Sequence, residues 1–490
     1  MAADVKPAGN AGPRSGRGLL FALALLALVR LGSLPWYPLM DNTEARYAEI
    51  ARRMLAMGDW VTPWFAEGVP FWGKPPLSFW ATQVGYTVFG VGEWGARLPH
   101  YLLGVGVVWL AWSFARGTSQ RAAWHTAALL AGSALFVVSS GAVMTDMAMT
   151  LGNTMVMVGF WRAWRATEAD PGAARGAGWL MVLGAAIGLL AKGPVSLVLW
   201  GLPLLGWVLL GGRLRRAWRS VAWLRGSLLV LALTLPWYLL AESRTPGFLQ
   251  YFIVGEHWQR FITPGWTGDL YGSAHKFPRG SIWLFAAGAV LPWSLLLPLV
   301  AWRGLLGQGA KAPDAPASQT GETSFLLAWG LMPCLFFTTA GNVLWTYVLP
   351  GLPALALLAG RWTASRRRDR LAEGVLTFGL AGGAAITLGL LAAGQAGQRF
   401  EKLSAQALVQ DFQRSAAPGE TLYFVGSKPF SADFYAAGQA RVLARLDALP
   451  AGQAAWVVLT AAEMAALPPE QRARLDHEAA HSGRVLARWR

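Results

Sequence analysis

Long apolar runs follow one another along this sequence, and they restrict its fold more than any other feature. A run of about 17–25 residues with few charges is long enough to cross a bilayer as a helix. The sequence predicts eleven such spans, near residues 18–36, 98–115, 122–140, 147–161, 177–191, 194–211, 221–240, 281–302, 324–340, 343–360 and 373–394. The fourth and fifth are short, so either one pair is re-entrant or the number of spans is higher. We therefore expect an all-α polytopic membrane protein with about 11–13 transmembrane helices.

Composition supports this class and excludes others. Charged residues make up 14% of the 490 residues, against about 25% in soluble proteins. The single cysteine, Cys334, cannot close a disulfide within the chain or form a cysteine zinc site. Disordered, collagen-like and disulfide-rich secreted proteins are therefore excluded. We attribute the net charge of +16 to basic residues that orient the spans, rather than to nucleic-acid binding.

Basic residues gather in alternate loops, and this pattern indicates the direction of each span. When eleven spans are threaded alternately, every basic cluster falls on one side, and the positive-inside rule makes that side cytoplasmic. The clusters lie near residues 6–17, 116–121, 162–175, 213–225, 303–311 and 361–370. The N-terminus is therefore expected inside, and the odd number of spans places the C-terminal tail on the outer face.

This threading predicts three domains. Residues 1–17 form a cytoplasmic tail, residues 18–394 a membrane domain, and residues 395–490 a small α/β domain, because short β-like and helical runs alternate in the tail. Within the membrane domain, the outer loop 37–97 carries two amphipathic, aromatic-rich stretches that we expect to form interfacial helices. The first span is expected to remain in the chain, because no small-residue cleavage site follows it.

Two carboxylates follow the first span directly. Asp41 and Glu44 are spaced as in a helix-capping box, which is the more frequent meaning of such spacing. Next to Arg46, the same pair could also hold a general base beside a cation where the chain leaves the membrane. The two interpretations are compatible, since a cap fixes the geometry that a base requires.

A third carboxylate, Asp146, lies in an otherwise uncharged stretch between the third and fourth spans. Carboxylates in or near a bilayer are costly and usually functional. The alternative is a helix cap at the start of the fourth span. Because Asp146 falls on the same face as Asp41, we favour the functional interpretation.

Several cations share this outer face. Lys74, Lys192, Arg260 and Arg279 are predicted near membrane depth. A lone basic side chain there often does no more than extend to the headgroups. Several cations that converge with carboxylates on one face would instead suit an anionic lipid headgroup.

Other kinds of site receive little support. His257 and His275 indicate a divalent metal only weakly, because no clear carboxylate partner accompanies them. The sequence has no phosphate-binding glycine loop, no nucleophile elbow and no His-Glu-x-x-His motif. A pump driven by cytosolic nucleotide is therefore not expected.

Ten short motifs follow one another along the chain. They are DNTEARYAEIAR at 41–52, GDWVTP at 58–63, KPPL at 74–77, EWGARLP at 93–99, MTD at 144–146, AKGP at 191–194, PWY at 236–238, HWQRF at 257–261, YVLP at 347–350 and SADFY at 431–435. In this order they resemble the polyprenyl-phosphate-sugar glycosyltransferases of the GT-C fold. This group contains the bacterial 4-amino-4-deoxy-L-arabinose transferases and the protein O-mannosyltransferases. The resemblance is specific for the family and much less specific for the sugar or the acceptor.

The resemblance implies an enzyme of the bacterial inner membrane whose active site and C-terminal domain face the periplasm. Its donor would be a sugar on undecaprenyl phosphate, and its acceptor lipid A, another envelope glycan or lipid, or a protein hydroxyl. Asp41 or Glu44 matches the first acidic motif of the family, and Asp146 matches the second. The positions that hold the lipid phosphate in the aminoarabinose enzymes match Lys74, Arg260 and Tyr347. We add Lys192 and Arg46 to these as further candidate phosphate ligands.

Three departures from the family pattern are visible. The aminoarabinose enzymes usually have adjacent Asp and Glu, whereas here Thr43 precedes Glu44. Gly73 stands where an acidic residue usually precedes Lys-Pro-Pro, which weakens a metal site that would include His257. Asn342 or Val343 stands where a basic residue usually precedes the late tyrosine motif. These departures count against aminoarabinose as the specific sugar.

From these residues we expect a metal-independent, inverting transfer without a cofactor. Asp41 is the first choice for the base and Asp146 the second, while Lys74, Arg260 and the Tyr347 hydroxyl stabilise the leaving phosphate. An enzyme like the protein O-mannosyltransferases is the alternative. A lipid or oligosaccharide transporter should show inverted repeats and charges inside its spans, whereas these carboxylates lie at span ends. A non-catalytic scaffold would need no cluster of opposite charges.

Overall fold

The computed structural model describes residues 15–166, 171–306, 317–365, 370–396, 399–449, 455–481 and 483–490. The predicted cytoplasmic tail lies outside the described residues up to position 14. Lys311 and residues 366–368 of the basic clusters also lie outside them.

Helices account for most of the described chain as far as residue 396. They are α1 (Ser15–Ser33), α2 (Thr43–Met57), α3 (Leu77–Phe89), α4 (Glu93–Arg116), α5 (Gln120–Ala131), α6 (Ala134–Ser139), α7 (Thr145–Ala166), α8 (Pro171–Lys192), α9 (Pro194–Leu210), α10 (Leu214–Ser220), α11 (Trp223–Arg244), a π-helix (Gln250–Gln259), α12 (Arg260–Ile262), α13 (Ser281–Ala289), α14 (Trp293–Leu306), α15 (Ala317–Phe337), a 3-10 helix (Trp345–Gly351), α16 (Leu352–Ser365) and α17 (Arg370–Ala396). Each of the eleven predicted spans coincides with one of these helices or with two consecutive ones.

Not all of these helices are equally suited to crossing a membrane. Among the described residues, four are long and apolar enough by length and composition alone, namely Glu93–Arg116, Ala174–Lys192, Trp223–Arg244 and Leu371–Gln395. A fifth candidate is the pair Ser281–Ala289 and Trp293–Trp302, which is bent by 77°. The structure is thus that of a multi-pass membrane protein, and the number of eleven or more crossings stays a prediction.

The fourth and fifth apolar runs are short, but each lies within a longer helix. Helices α7 and α8 both have 22 residues, or a length of about 33 Å, which is enough to cross a bilayer. A Cβ atom on Gly152 would lie 2.6 Å from the carbonyl oxygen of Gly184, and one on Gly184 would lie 2.5 Å from that of Gly152. The two helices therefore approach each other closely through residues without side chains.

Contacts between loops support the alternate threading. Arg361 forms an ion pair with Glu322, and Arg121 forms one with Glu373 at 3.0 Å. These pairs join three loops that the sequence assigns to the cytoplasmic side. The loops assigned to the outer face meet at a different place, around the cavity described below.

The loop between α1 and α4 is folded, as its aromatic content indicated. Helix α2 buries Tyr47, Ile50 and Met54, and on its other face Glu49 pairs with Arg52 at 2.6 Å. A short hairpin of β1 (Trp64–Ala66) and β2 (Val69–Pro70) and then α3 complete the loop. The two predicted amphipathic stretches are therefore helices.

The C-terminal region contains the predicted strands. Its elements are α18 (Arg399–Leu403), α19 (Gln406–Ser415), β3 (Leu422–Val425), α20 (Phe430–Tyr435), β4 (Arg441–Leu443), a 3-10 helix (Leu446–Ala448), β5 (Ala455–Thr460), α21 (Ala461–Ala466), α22 (Pro469–Arg472), β6 (Leu475–His481) and β7 (Arg484–Trp489). The sheet has the strand order β4-β3-β5-β7-β6. Its first three strands are parallel, and β7 pairs antiparallel with β5 and β6.

Helix α20, which carries the SADFY motif, attaches this region to the outer loop. Phe434 is buried in the same apolar cluster as Tyr47 and Ile50 of α2. The hydroxyl of Tyr435 donates to Glu93 at 2.7 Å and accepts the backbone N–H of Leu39 at 2.8 Å. The C-terminal region therefore contributes to the same end of the molecule as the outer loops.

Candidate active site

The outer loops enclose a cavity of about 1080 Å³. Its lining includes polar and charged side chains as well as apolar side chains of α9, the π-helix and α15. The lining comes from residues 42–47, 71–74, 144–149, 192–199, 253–261, 269–275, 336–347 and Phe430. A cavity lined by both charged and apolar side chains suits an amphiphilic molecule such as a lipid with an ionic headgroup.

One wall of the cavity is a chain of alternating charges. Lys74 Nζ lies 2.9 Å from Glu256 Oε2, and Arg260 Nη1 lies 3.0 Å from Glu256 Oε1. The same nitrogen of Arg260 lies 3.2 Å from Asp269 Oδ2. Prolines follow Lys74 directly, which disfavours a helix at the lysine and fixes the backbone from which it extends. Four charged side chains are thus held close together, each less than one fifth exposed.

Arg46 lines the same cavity beside this wall. Its Nη1 donates to the carbonyl oxygen of Tyr271 at 2.5 Å. Its guanidinium lies 5.3 Å from the ring centre of Tyr47, 5.8 Å from that of Phe71 and 5.4 Å from that of Phe430. Contacts of this kind hold a cation in place while its charge stays available to an anion.

A second ion pair also lines the cavity. Asp146, in the first turn of α7, accepts a hydrogen bond from Lys192 Nζ at 2.6 Å, and both side chains are largely buried. Lys192 ends α8, and its ammonium lies 4.8 Å from the ring centre of Tyr347. The structure therefore brings Asp146, Lys192 and Tyr347 together, as the sequence predicted for the outer face.

Glu44 does not reach the cavity. Its carboxylate accepts from Arg97 Nε at 2.8 Å and Nη2 at 2.7 Å, and the Met40 backbone N–H lies 3.2 Å from it. Arg97 is fully buried and also donates to three backbone carbonyls. Burial would raise the pKa of Glu44, but Arg97 lowers it below the ordinary value. The geometry is that of a structural ion pair and gives no support to a catalytic role for Glu44.

Asp41 is also turned away from the cavity, and this position gives no support to the sequence-based choice of Asp41 as the base. One carboxylate oxygen accepts the backbone N–H of Ser431 at 2.9 Å, and the other accepts its hydroxyl at 2.6 Å. Asp41 lines a separate, smaller cavity of about 400 Å³. The capping interpretation fails as well, because Asn42 is the N-cap residue of α2 and makes no side-chain cap.

His257 does not offer a free ring nitrogen to a metal ion. Its Nδ1 lies 2.8 Å from the carbonyl oxygen of Phe252, and its Nε2 lies 3.2 Å from that of Lys192. Burial lowers the pKa of His257. Within the described ranges no group of three or more His, Cys, Asp or Glu could hold a metal, and Gly73 offers no side-chain ligand. A metal-independent reaction stays a prediction. His275 lines the cavity, and Arg279 does not.

Glu256 and Asp269 were missed by the sequence analysis. Glu256 stands four residues before Arg260, a spacing at which opposite charges on a helix meet, and this signal could have identified it. Asp269 lies in an irregular loop, and no periodic pattern indicates its contact with Arg260.

Known proteins resemble the chain in sequence. The family described as Dolichyl-phosphate-mannose-protein mannosyltransferase matches residues 20–252. The undecaprenyl phosphate-alpha-4-amino-4-deoxy-L-arabinose arabinosyl transferase of Edwardsiella ictaluri is 34% identical over 388 residues, which are 75% of this chain and 64% of that protein. The protein of the same name from Pseudomonas aeruginosa is 33% identical over 378 residues, or 74% of this chain and 63% of that protein. The chain thus spans less than two thirds of the length of these relatives.

Solved structures resemble it over almost its whole length. ArnT from Cupriavidus metallidurans bound to undecaprenyl phosphate superposes with a TM-score of 0.75 at 22% identity, and the match covers 97% of this chain and 98% of that chain. The apo state of the same protein gives a TM-score of 0.74. The predicted fold class, a polytopic all-α protein with a small C-terminal α/β region, is confirmed.

Proposed function

Because this chain is a relative of the aminoarabinose transferases and has their GT-C fold, we propose that it is a membrane glycosyltransferase. It would move a sugar from undecaprenyl phosphate to an acceptor at the outer face of the inner membrane, in the periplasm. The observation that carries the proposal is the cavity, whose lining combines the wall of alternating charges, the carboxylate of Asp146 and apolar side chains. A lipid phosphate with a long isoprenoid tail requires both the cations and the apolar lining.

The proposed roles follow from the contacts around the cavity. Lys74 and Arg260 would hold the donor phosphate, and Arg46, Lys192 and the Tyr347 hydroxyl would add further positive charge and a hydrogen bond. Such preorganised donors stabilise the charge that develops on the leaving phosphate, and removal of one typically costs about 10²–10³ in rate.

Asp146 is the carboxylate that we propose as the base. The acceptor oxygen attacks the anomeric carbon, and its proton passes to Asp146. The bond from this carbon to the phosphate oxygen breaks, and polyprenyl phosphate leaves with the electron pair. A single displacement inverts the configuration at the sugar. Lys192 Nζ lies 2.6 Å from Asp146 Oδ1 and holds this carboxylate in place.

We expect a strain that lacks the gene for this chain to lose one sugar from an envelope component. Mass spectrometry of lipid A, other envelope glycans and secreted proteins would identify the acceptor class and the mass of the sugar. The wild-type gene should restore the signal, and the gene with Asp146→Asn should not. A strain with unchanged envelope glycans but misplaced lipid-linked sugar would favour the transporter alternative.

We also expect transfer by the purified protein to continue in EDTA. The ring nitrogens of His257 face backbone carbonyls, Gly73 supplies no ligand, and Glu256 and Asp269 are already paired with Lys74 and Arg260. The rate of sugar transfer with and without the chelator measures this directly. Complete loss of activity that a single kind of divalent ion restores would overturn the metal-independent mechanism.

A further inference from the structure

Glu256 occupies the position between the two cations to which the proposed function assigns the donor phosphate. Its oxygens lie 2.9 Å from Lys74 Nζ and 3.0 Å from Arg260 Nη1, and the Tyr251 hydroxyl donates to it at 3.3 Å. The side chain is 6% exposed. A phosphate that binds Lys74 and Arg260 must therefore share them with this carboxylate or displace it.

The carboxylate is ionised in this position. Burial would raise the pKa of Glu256, but Lys74 and Arg260 together lower it to about 2. The two cations are thus already paired with an internal anion. Asp269 accepts from Arg260 at 3.2 Å and from the Tyr271 backbone N–H at 3.0 Å, so Arg260 remains oriented when Glu256 releases it.

The reaction itself creates a need for such a competitor. A polyprenyl-phosphate sugar is a phosphodiester with one negative charge, whereas the released polyprenyl phosphate is a monoester with a charge of about −1.5 to −2 at pH 7. Two buried cations attract the product more strongly than the donor. A site with cations alone would therefore remain occupied by its own product.

We propose that Glu256 acts as a built-in competitor of the lipid phosphate, which keeps Lys74 and Arg260 paired in the empty site and takes them back to release the product. This inference rests on the proposed function. It makes Glu256 a positioning residue that acts through the two cations, and it concerns the release of polyprenyl phosphate rather than the transfer step.

The test is the affinity of the purified full-length protein for undecaprenyl phosphate. We expect Glu256→Gln to bind it roughly ten- to a hundredfold more tightly, because one competing charge is lost near two buried cations. Inhibition by added undecaprenyl phosphate should become stronger by a larger factor than the KM for the donor falls, and kcat should decrease. Glu256→Asp, which keeps the charge, should remain close to wild type.

Glu67→Gln is the matched control. It makes the same change in net charge at a residue that is exposed in the turn between β1 and β2. It should leave the affinity unchanged. Tyr251→Phe removes a donor to Glu256 and should tighten binding a few-fold, which keeps the test available if Glu256→Gln does not fold. Unchanged or weaker binding in a folded Glu256→Gln variant would overturn the inference, since a purely structural role predicts weaker binding.

Two further variants separate this inference from the proposed function. Lys74→Ala and Arg260→Ala should each weaken the binding of undecaprenyl phosphate. If neither does, the assignment of the phosphate to these cations fails. If both do and Glu256→Gln does not tighten binding, only the role of Glu256 as a competitor fails.

Discussion

Asp146→Asn is expected to insert and fold normally and to lose most sugar transfer, by about 10²–10⁴-fold, the contribution that general-base catalysis commonly makes. The amide keeps the size of the side chain and can still accept a hydrogen bond from Lys192. The two side chains, which are 2.6 Å apart in the wild type, should therefore stay in contact. It cannot take a proton from the acceptor, and it no longer balances the charge of Lys192. The loss should therefore appear in kcat, while donor binding changes little.

The measurement is the rate of transfer from a purified lipid-linked donor, together with the thermal melting of the purified variant. Asp447→Asn is a suitable control, because Asp447 is more than half exposed in the C-terminal region and pairs with an exposed arginine, Arg445, at 3.4 Å. If Asp146→Asn keeps activity within a few-fold of wild type, Asp146 is not the base and only stabilises the start of α7. The base would then have to be sought elsewhere in the cavity.

The helices could be predicted from the sequence because their signal is local. Apolar runs and the alternation of basic loops each depend on short stretches of chain, and every predicted span is helical in the structure. Alternate threading also predicts that several loops lie together at one end of the molecule. The residues of these loops that line one cavity are Lys74, Asp146, Lys192, Arg260 and Tyr347.

The direction of individual carboxylates could not be predicted in the same way. Glu44 turns toward Arg97, and Asp41 turns toward Ser431, a residue close to the other end of the chain. No periodicity within 41–46 distinguishes these partners from a ligand. The motif SADFY was identified in the sequence, but its contact with Asp41 exists only after the C-terminal region has docked on α2.

The contacts of Glu256 could not be predicted from the sequence for a different reason. Its pairing with Arg260 is local, whereas its pairing with Lys74 joins residues 182 positions apart. The sequence analysis treated the region around His257 as a question about metal ligands, because the family pattern places an acidic residue before Lys-Pro-Pro. In this chain Gly73 stands there, and the carboxylate beside Lys74 comes from the π-helix instead.

The second large effect concerns the Arg97–Glu44 pair. Arg97→Met is expected to destabilise the protein by about 3–5 kcal/mol, because removal of one partner leaves a buried charge without compensation. The guanidinium also donates to the carbonyl oxygens of Leu34, Tyr37 and Pro38 at 2.6–2.8 Å. Its loss therefore frees the segment that leads from α1 into α2. We expect a lower yield of monodisperse protein and a clearly lower melting temperature in detergent.

A pair of variants tells a structural role of Glu44 from a catalytic one. Glu44→Gln should lower the melting temperature, and the Arg97→Met/Glu44→Leu double variant should recover part of the stability lost in Arg97→Met, since it leaves neither charge unpaired. Any transfer activity lost in Glu44→Gln should then follow the fraction of folded protein. If Glu44→Gln melts like wild type and still loses transfer by about 10² or more, the magnitude that one catalytic group contributes, then Glu44 reaches the substrate. In that case the ion pair with Arg97 would have to open during the reaction, and the sequence-based assignment of Glu44 would be correct.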